Sequence, residues 1–362
     1  MINDPFKIAY DLFPAKEIPF MERAKTIARR TRPYEGLKIV QNLPITTEAL
    51  HKIHVLYLGG ADITTTCPSF MDPKHEALSV LKAAGLRVAT FDDLPDDFDI
   101  VLDCAAELLG RVTPKLGAVE LTGTGSNIYA ETPNLNYPVI SVDQSRVKVL
   151  EALFGTGDAF QRAFTTLTGE DLHDRDVLLF GYGKVGQGIS YALRPFGCRV
   201  TVVDTSPAAL DIARRHGHKA IPSEDTVAVE QAAAASFVVV TATGRAELVS
   251  KHYAREPFLK AAYLANMGAE DEFGADFAAE AVMVNKKPIN FAIDHPTRIR
   301  FLDPIFHAHH MGIELLHNFD FTPGLHPFPG FMAEQIIAEW EEHFDIDVEK
   351  ALWADQTEVS GG

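Results

Sequence analysis

The chain has 362 residues and a formal charge of −17 at neutral pH. That is long enough for two domains with separate cores, and too acidic to favour nucleic acid or an anionic membrane as a partner. Its cysteines, Cys67, Cys104 and Cys198, are widely spaced, which fits reduced thiols in a cytoplasmic protein and not a disulfide framework or a zinc site. The opening Met1-Ile-Asn-Asp-Pro-Phe has neither the basic nor the apolar region of a secretion signal, and no apolar run is as long as a membrane span, so a cytoplasmic location is expected.

Taken in order, the chain alternates strands and helices. A helix is expected over 20–30, with Lys25, Arg29 and Arg30 on a solvated face, then a strand over 36–42. Ala49, Leu50, Ile53, Leu56 and Tyr57 keep helical spacing and Gly59-Gly60 follows, so 46–58 reads as a helix. Strands are expected at 61–65, 87–91, 98–103, 118–122 and 138–142, with a helix over 74–84 and another after Asp103. This alternation marks an α/β domain. Two helices, 145–155 and 157–167, lead out of it.

The most informative stretch follows. Val177-Leu-Leu-Phe180 reads as a buried strand running into Gly181-Tyr-Gly183-Lys184-Val185-Gly186, after which the pattern turns helical; Arg199-Val-Thr-Val-Val-Asp204 is a second strand ending on an acid. A dinucleotide-binding βαβ unit needs this order. Gly181 makes the tight turn, Gly183 lets the backbone approach a pyrophosphate, and Gly186 lets helix and strand pack closely. The helix N-terminus offers N–H groups to phosphate. Asp204 can accept from an adenosine ribose, and no arginine directly follows it to hold a 2′-phosphate, so NAD is expected as cofactor. Helices are expected at 206–216 and 226–234, and strands at 237–243 and 262–266. Their ends, Thr241-Ala242-Thr243-Gly244 and Asn266-Met-Gly268, belong at the carboxyl edge where open parallel sheets bind ligands.

Beyond this, Asp303-Pro304 is expected to cap a helix running to 316. Pro323, Pro327 and Pro329 mark a loop, and 331–344 is an amphipathic helix carrying Met332, Ile336, Trp340 and Phe344 on one face. Both helices are expected to pack back on the first domain. His307, His310, Glu314 and His317 recur at helical spacing. Such a stripe can hold zinc or iron, but it reads more simply as a polar helix flank, with His309 at the core boundary, and no metal is expected. Gly123-Thr-Gly125 reads as a βα turn.

Several stretches together resemble the S-adenosylhomocysteine hydrolase family. Ser141-Val-Asp-Gln-Ser145-Arg-Val-Lys148 is similar to its Asn-Val-Asn-Asp-Ser-Val-Thr-Lys, and Glu151-Ala-Leu-Phe-Gly155 to its Asp-Asn-Leu-Tyr-Gly. Thr241–Gly244, Asn266–Gly268 and Asp294-His295-Pro-Thr297 resemble its Thr-Thr-Thr-Gly, Asn-Ile-Gly and Gly-His-Pro-Ser segments; Asn42-Leu-Pro44-Ile-Thr46-Thr-Glu48, Thr65-Thr-Cys67 and Val101-Leu-Asp103 lie where the family has Cys-Leu-His-Met-Thr-Val-Gln, Ser-Ser-Cys-Asn and Ile-Leu-Asp-Asp. The resemblance implies two Rossmann-like α/β domains. A discontinuous substrate domain (1–149, completed by 293–362) accompanies an NAD-binding doubly wound parallel sheet (150–292).

The resemblance also implies tightly held NAD, which oxidises a ribose hydroxyl and allows elimination and addition before being regenerated, in homodimers or homotetramers. It offers Lys148, Glu151, Glu120, His295 and Glu270 as catalytic candidates, Glu270 as part of the acidic run after Ala269. Thr46, Glu48, Cys104, Thr122 and His295 are substrate-binding candidates, with the substrate a small polar molecule such as a nucleoside. The sequence departs from the family at three proton-transfer positions, with Pro44 and Ala269 for histidines and Cys104 for an aspartate, and its C-terminal run Glu358-Val-Ser-Gly-Gly lacks the family's Lys/Tyr tail. Three readings follow from this: an enzyme of this type with a changed substrate, a net NAD-dependent dehydrogenase or reductase, or a catalytically degenerate binding subunit.

Overall fold

The structure is a computed structural model and describes residues 4–349. The first unit is built on six strands that follow one another in the chain, β1 (Lys38–Asn42), β2 (Asp62–Thr66), β3 (Arg87–Val88), β4 (Ile100–Asp103), β5 (Gly117–Glu120) and β6 (Pro138–Ser141). The second carries β7 (Asp176–Phe180), β8 (Arg199–Asp204), β9 (Lys219–Pro222), β10 (Val238–Thr241) and β11 (Tyr263–Asn266). The chain then returns to the first sheet as β12 (Gly324–Pro327). Every strand pair among the described residues is parallel. Runs such as Ile100-Val-Leu and Val238-Val-Val are buried throughout, as strands covered by helices on both faces must be.

The strand orders are β12-β6-β5-β4-β1-β2-β3 and β11-β10-β7-β8-β9. Strand order reverses between β4 and β1 in one sheet and between β10 and β7 in the other, and at such switch points the carboxyl edge opens into a crevice.

The first unit takes in the chain up to Leu150 and Ile299–Asp345, the second Glu151–Arg298. The second crossing lies a few residues beyond 292. Ile289 and Ile293 belong to the apolar core around Leu179 and Ile189, and Arg162 ties the backbone further by donating to the carbonyls of His295 at 3.0 Å and Pro296 at 3.3 Å. The returning helix Ile299–Asn318 lies against the first sheet, where a Cβ at Gly312 would come 2.6 Å from the Val119 side chain. The helix Gly330–Phe344 buries Ala333, Ile336, Ile337 and Trp340.

Several local expectations are corrected. The proline-marked stretch contains β12, paired with β6, and Pro327 is tolerated at the end of an edge strand. No helix follows Asp103; the chain there is a tight turn, held as described below. Residues 145–155 form turns and then a π-helix, Leu150–Gly155, in place of one α-helix. β9 is a strand that no apolar run announced. Lys25 is not on a solvated face. It is buried, donates to Glu22 Oε1 at 2.6 Å, lies 3.1 Å from His51 Nδ1 and stands 4.2 Å over the Tyr10 ring. The stripe on the long helix is a polar flank only in part: Glu314 and His317 are exposed, but His310 is buried and His307 stacks on Phe20, while His309 is in the core. Among the described residues no group of three His, Cys, Asp or Glu side chains is placed to hold a metal.

Asp303 shows how tertiary structure reassigned a local signal. The helix begins at Ile299 and carries Pro304 inside it, so Asp303 is not its cap. Instead the buried carboxylate accepts from Phe20 N and Met21 N, each at 2.9 Å, and so caps the helix Pro19–Thr31, which has no cap of its own. Burial pushes the Asp303 carboxyl up to about 7. Its folded pKa thus exceeds the unfolded one, unfolding releases a proton, and the stability it contributes declines as pH rises from about 4 to about 7. Asp303→Asn is therefore expected to flatten the pH dependence of the urea midpoint between pH 5 and pH 8 relative to wild type. Asp303→Ala leaves both amides unpaired and is expected to cost about 1–3 kcal/mol in the same titration.

Candidate functional site

In the second unit, β7 runs into Gly181, whose φ of +87° and approach to Ala242 O (2.5 Å from a would-be Cβ) admit only glycine. Gly186 opens onto Gly181 O, 2.0 Å from a would-be Cβ, and Gly188 onto Leu153 O at 2.1 Å, so the helix Lys184–Leu193 seats against backbone on two sides. Gly183 differs: nothing lies within 4 Å of its would-be Cβ. Its backbone faces open space at the N-terminus of that helix, which suits a pyrophosphate. Lys184 is exposed there and Val185 packs on the core.

β8 ends at Asp204. Its carboxylate accepts from Tyr182 N at 2.7 Å and from Ser206 N at 2.8 Å, which orients it and leaves lone pairs for a ribose. A cavity lined by Gly181, Gly183, Asp204, Thr243, Arg245 and Tyr253 stands over this edge. The residues fit a dinucleotide.

The remaining second-unit candidates are organised by Glu272, which the sequence did not single out from its acidic neighbours. Fully buried, it accepts from Thr243 N (2.9 Å), Gly244 N (2.7 Å) and the Thr243 hydroxyl (2.7 Å). A Cβ at Gly268 would fall 1.9 Å from its carboxylate. Burial raises its pKa. Asn266 accepts from the Thr241 hydroxyl (3.1 Å) and Gly268 N (3.0 Å), and donates to the carbonyls of Glu270 (2.6 Å) and Lys286 (2.8 Å). Thr241, Thr243, Gly244, Asn266 and Gly268 are thus brought together as one rigid strand-end assembly beside Ala242. Glu270 points its side chain to solvent, Asp271 pairs with Lys286 at 3.0 Å, and His295 has a left-handed backbone at φ +55°.

In the first unit, the turn after β4 is held by two carboxylates. Glu120 accepts from Ala105 N (3.2 Å), Ala106 N (3.0 Å), Thr122 N (2.7 Å) and the Thr122 hydroxyl (2.7 Å). Ala105 and Ala106 both have positive φ, +62° and +54°, so consecutive N–H groups converge on one internal anion. Asp103 accepts from Cys104 N (2.8 Å), Leu108 N (3.1 Å) and the Tyr129 hydroxyl (2.8 Å). Burial, then the Glu120 charge, pushes its carboxyl up to about 7.

Glu120 and Thr122 are therefore bound up in the backbone, Thr122 also accepting from Gly125 N at 3.0 Å. Thr46 accepts from Ala49 N at 3.4 Å, just before the helix Ala49–Leu58, and Glu48 is buried beside it. Lys148 is buried near the end of this unit; Glu151 lies in the π-helix that starts the other.

One residue the sequence reading passed over stands at the switch point. Asn42, the last residue of β1, donates from Nδ2 to Cys104 O (3.3 Å) and to Glu107 Oε2 (3.2 Å). Ser69 N donates to the same Glu107 carboxylate at 3.1 Å. A half-buried carboxylate thus sits beside Cys104. Its place three residues along the same loop was the available signal.

The glycine geometry separates packing from binding. Gly186→Ala is expected to lower the thermal midpoint, because its methyl has no room. Gly183→Ala is expected to keep the midpoint and cut NAD content, measured after denaturation, at least tenfold, because its methyl would occupy only the space the pyrophosphate needs.

Comparison with known proteins agrees with this geometry. Residues 153–297 match the S-adenosyl-L-homocysteine hydrolase NAD-binding domain. An adenosylhomocysteinase of Sulfurisphaera tokodaii is 27% identical over 274 residues, covering 69% of this chain and 64% of that protein. One of Aeropyrum pernix is 24% identical, covering 77% and 71%, and an S-inosyl-L-homocysteine hydrolase of Methanothermobacter thermautotrophicus is 26% identical, covering 65% and 61%. The match thus spans about two thirds of these relatives. The second unit thus matches the S-adenosyl-L-homocysteine hydrolase NAD-binding domain, and the chain as a whole is similar to divergent members of that family.

Proposed function

We propose that this chain is an NAD-dependent enzyme that oxidises a secondary alcohol of a small, polar, nucleoside-like substrate, with the cofactor retained through a redox-neutral turnover. The observation that carries this is the complete dinucleotide cradle: a free backbone face at Gly183, close-packed glycines on either side of it, and Asp204 already oriented by two amides. NAD supplies the hydride acceptor when bound. The chain's own residues do the rest. Gly183 and the start of the helix Lys184–Leu193 hold phosphate, and Asp204 holds a ribose hydroxyl. Lys148 is the candidate base for the substrate hydroxyl, its amine removed from bulk water by burial.

The substrate differs from that of the usual family members in this reading, because Pro44, Cys104 and Ala269 cannot move protons as histidine or aspartate does. Glu107 is the carboxylate placed to serve beside Cys104. Glu120, Thr122 and Glu272 act as positioning residues, since their polar atoms are committed to backbone amides.

Adenosine, inosine, S-adenosylhomocysteine and S-inosylhomocysteine are suitable probes. With an accepted probe, an absorbance change near that of NADH is expected that stays with the protein on gel filtration. NADH accumulating free in solution would instead establish a net dehydrogenase, and absence of nicotinamide from the denatured protein together with no NAD binding by calorimetry would overturn the proposal. Lys148→Met is expected to slow the protein-bound absorbance change at least 100-fold while leaving NAD content unchanged.

A further inference from the structure

The first unit buries a lysine for which the fold supplies no counter-charge. Lys52, on the helix Ala49–Leu58, is 0% exposed; its amine donates to Gln41 Oε1, and burial pushes its pKa well below the ordinary lysine value. No described carboxylate pairs with it or acts on it. Gln41 is a Cα partner of Thr65 on β2 and of Leu102 on β4, which partners Val119 on β5. Side chains in register on a parallel sheet share a face, and Val119 on this face meets Gly312 of the helix Ile299–Asn318. The row is apolar at Leu102 and Val119 and turns polar at Gln41 and Thr65, one residue short of the carboxyl edge.

These polar groups are not satisfied by one another. Gln41 is 1% exposed and Thr65 0%, yet Gln41 Nε2 and Thr65 Oγ1 have no partner. The remaining neighbours are bases. His309 donates Nε2–H to Val119 O at 2.9 Å and leaves Nδ1 unpaired; the His310 ring lies toward the Lys52 carbonyl without a well-aligned hydrogen bond. Lys52 acts on both rings and Lys148 on His309, which, after burial itself, keeps the imidazoles neutral. The Lys52 amine thus meets the Gln41 amide, Thr65 is the register neighbour of Gln41, two further basic side chains lie near, and no described carboxylate acts on Lys52. Leaving buried donors unpaired costs free energy for each, and holding the amine charged without a partner costs more, which is why burial lowers its pKa; a bound anion would restore the charged form.

We propose that Lys52, Gln41 and Thr65 form a buried site for one small monovalent anion, a halide or a formate-sized carboxylate. The donor set favours an acceptor-only ligand. The full burial of all three side chains excludes a large one, and the neighbouring basic side chains disfavour a cation. The bound anion neutralises Lys52 and satisfies the amide and the hydroxyl together, just beneath the edge that carries Asn42 and Thr66. This site is independent of the dinucleotide cradle and does not rest on the reaction proposed above.

The test uses the full chain loaded with NAD. Thermal midpoints are measured against sodium bromide and sodium formate, with sodium sulfate at equal ionic strength as the reference. Wild type is expected to show a saturable rise with one or both monovalent anions. Lys52→Met is expected to begin with a higher midpoint in sulfate, since it removes a buried amine, and to lose the response. Thr65→Val keeps the lysine and is expected to weaken half-saturation about tenfold, the equivalent of one hydrogen bond to an ion. In bromide-soaked crystals an anomalous peak is expected between Lys52 Nζ, Gln41 Nε2 and Thr65 Oγ1. A wild type indifferent to both anions, or a Lys52→Met variant that responds as wild type does, would overturn the proposal.

Discussion

Carboxylates holding backbone amides, at the carboxyl ends of strands and at one helix start, are the constraint on which the rest of this structure depends. Glu120 and Asp103 gather the turn after β4, Glu272 gathers the turn after β10, Asp204 ties the glycine-rich turn to the loop after β8, and Asp303 closes the helix Pro19–Thr31. Each replaces water at N–H groups that turns and helix starts cannot satisfy by themselves. This acidic chain thus commits several buried carboxyl groups to backbone amides rather than to cations.

This arrangement separates two kinds of polar residue at the sheet edges. Those committed to the backbone, such as Glu120, Thr122, Glu272 and Asn266, make the edge rigid and fix where a ligand can lie. Those with polar atoms directed outward from that frame are the ones available for chemistry. Asp204 belongs to both groups, because two amides orient it and its remaining lone pairs stay accessible. Glu107 stands near Cys104 at the switch point of the first sheet, the two joined through the Asn42 amide. The frame that positions a cofactor is thus complete in the second unit.

Lys52 is the counterpart of this pattern. The acidic side chains in the core have donors, but this basic one has a single neutral acceptor in Gln41. A methionine there would pack without electrostatic cost, so retention of the amine points to a role that stability does not explain.

What the sequence determined by itself was local and periodic. Val177–Asp204 specifies its βαβ unit because apolar runs, glycines at fixed offsets and a terminal acid each have a backbone requirement that neighbours in the chain can meet. The helical reading of 46–58 held for the same reason: the spacing of Leu50, Ile53 and Leu56 matches a buried helix face. Tertiary structure decided the rest. Pairing with β6 made a strand of Gly324–Pro327, which no local signal favours. Packing placed Lys25 and Lys52 inside, and a contact across more than 280 residues turned Asp303 from the cap of its own helix into the cap of another. Whether Glu120 or Glu272 is a free acid or a backbone clamp depends on which amides the fold brings to it, and the distance between a carboxylate and an amide distant in sequence is a property of the folded chain alone.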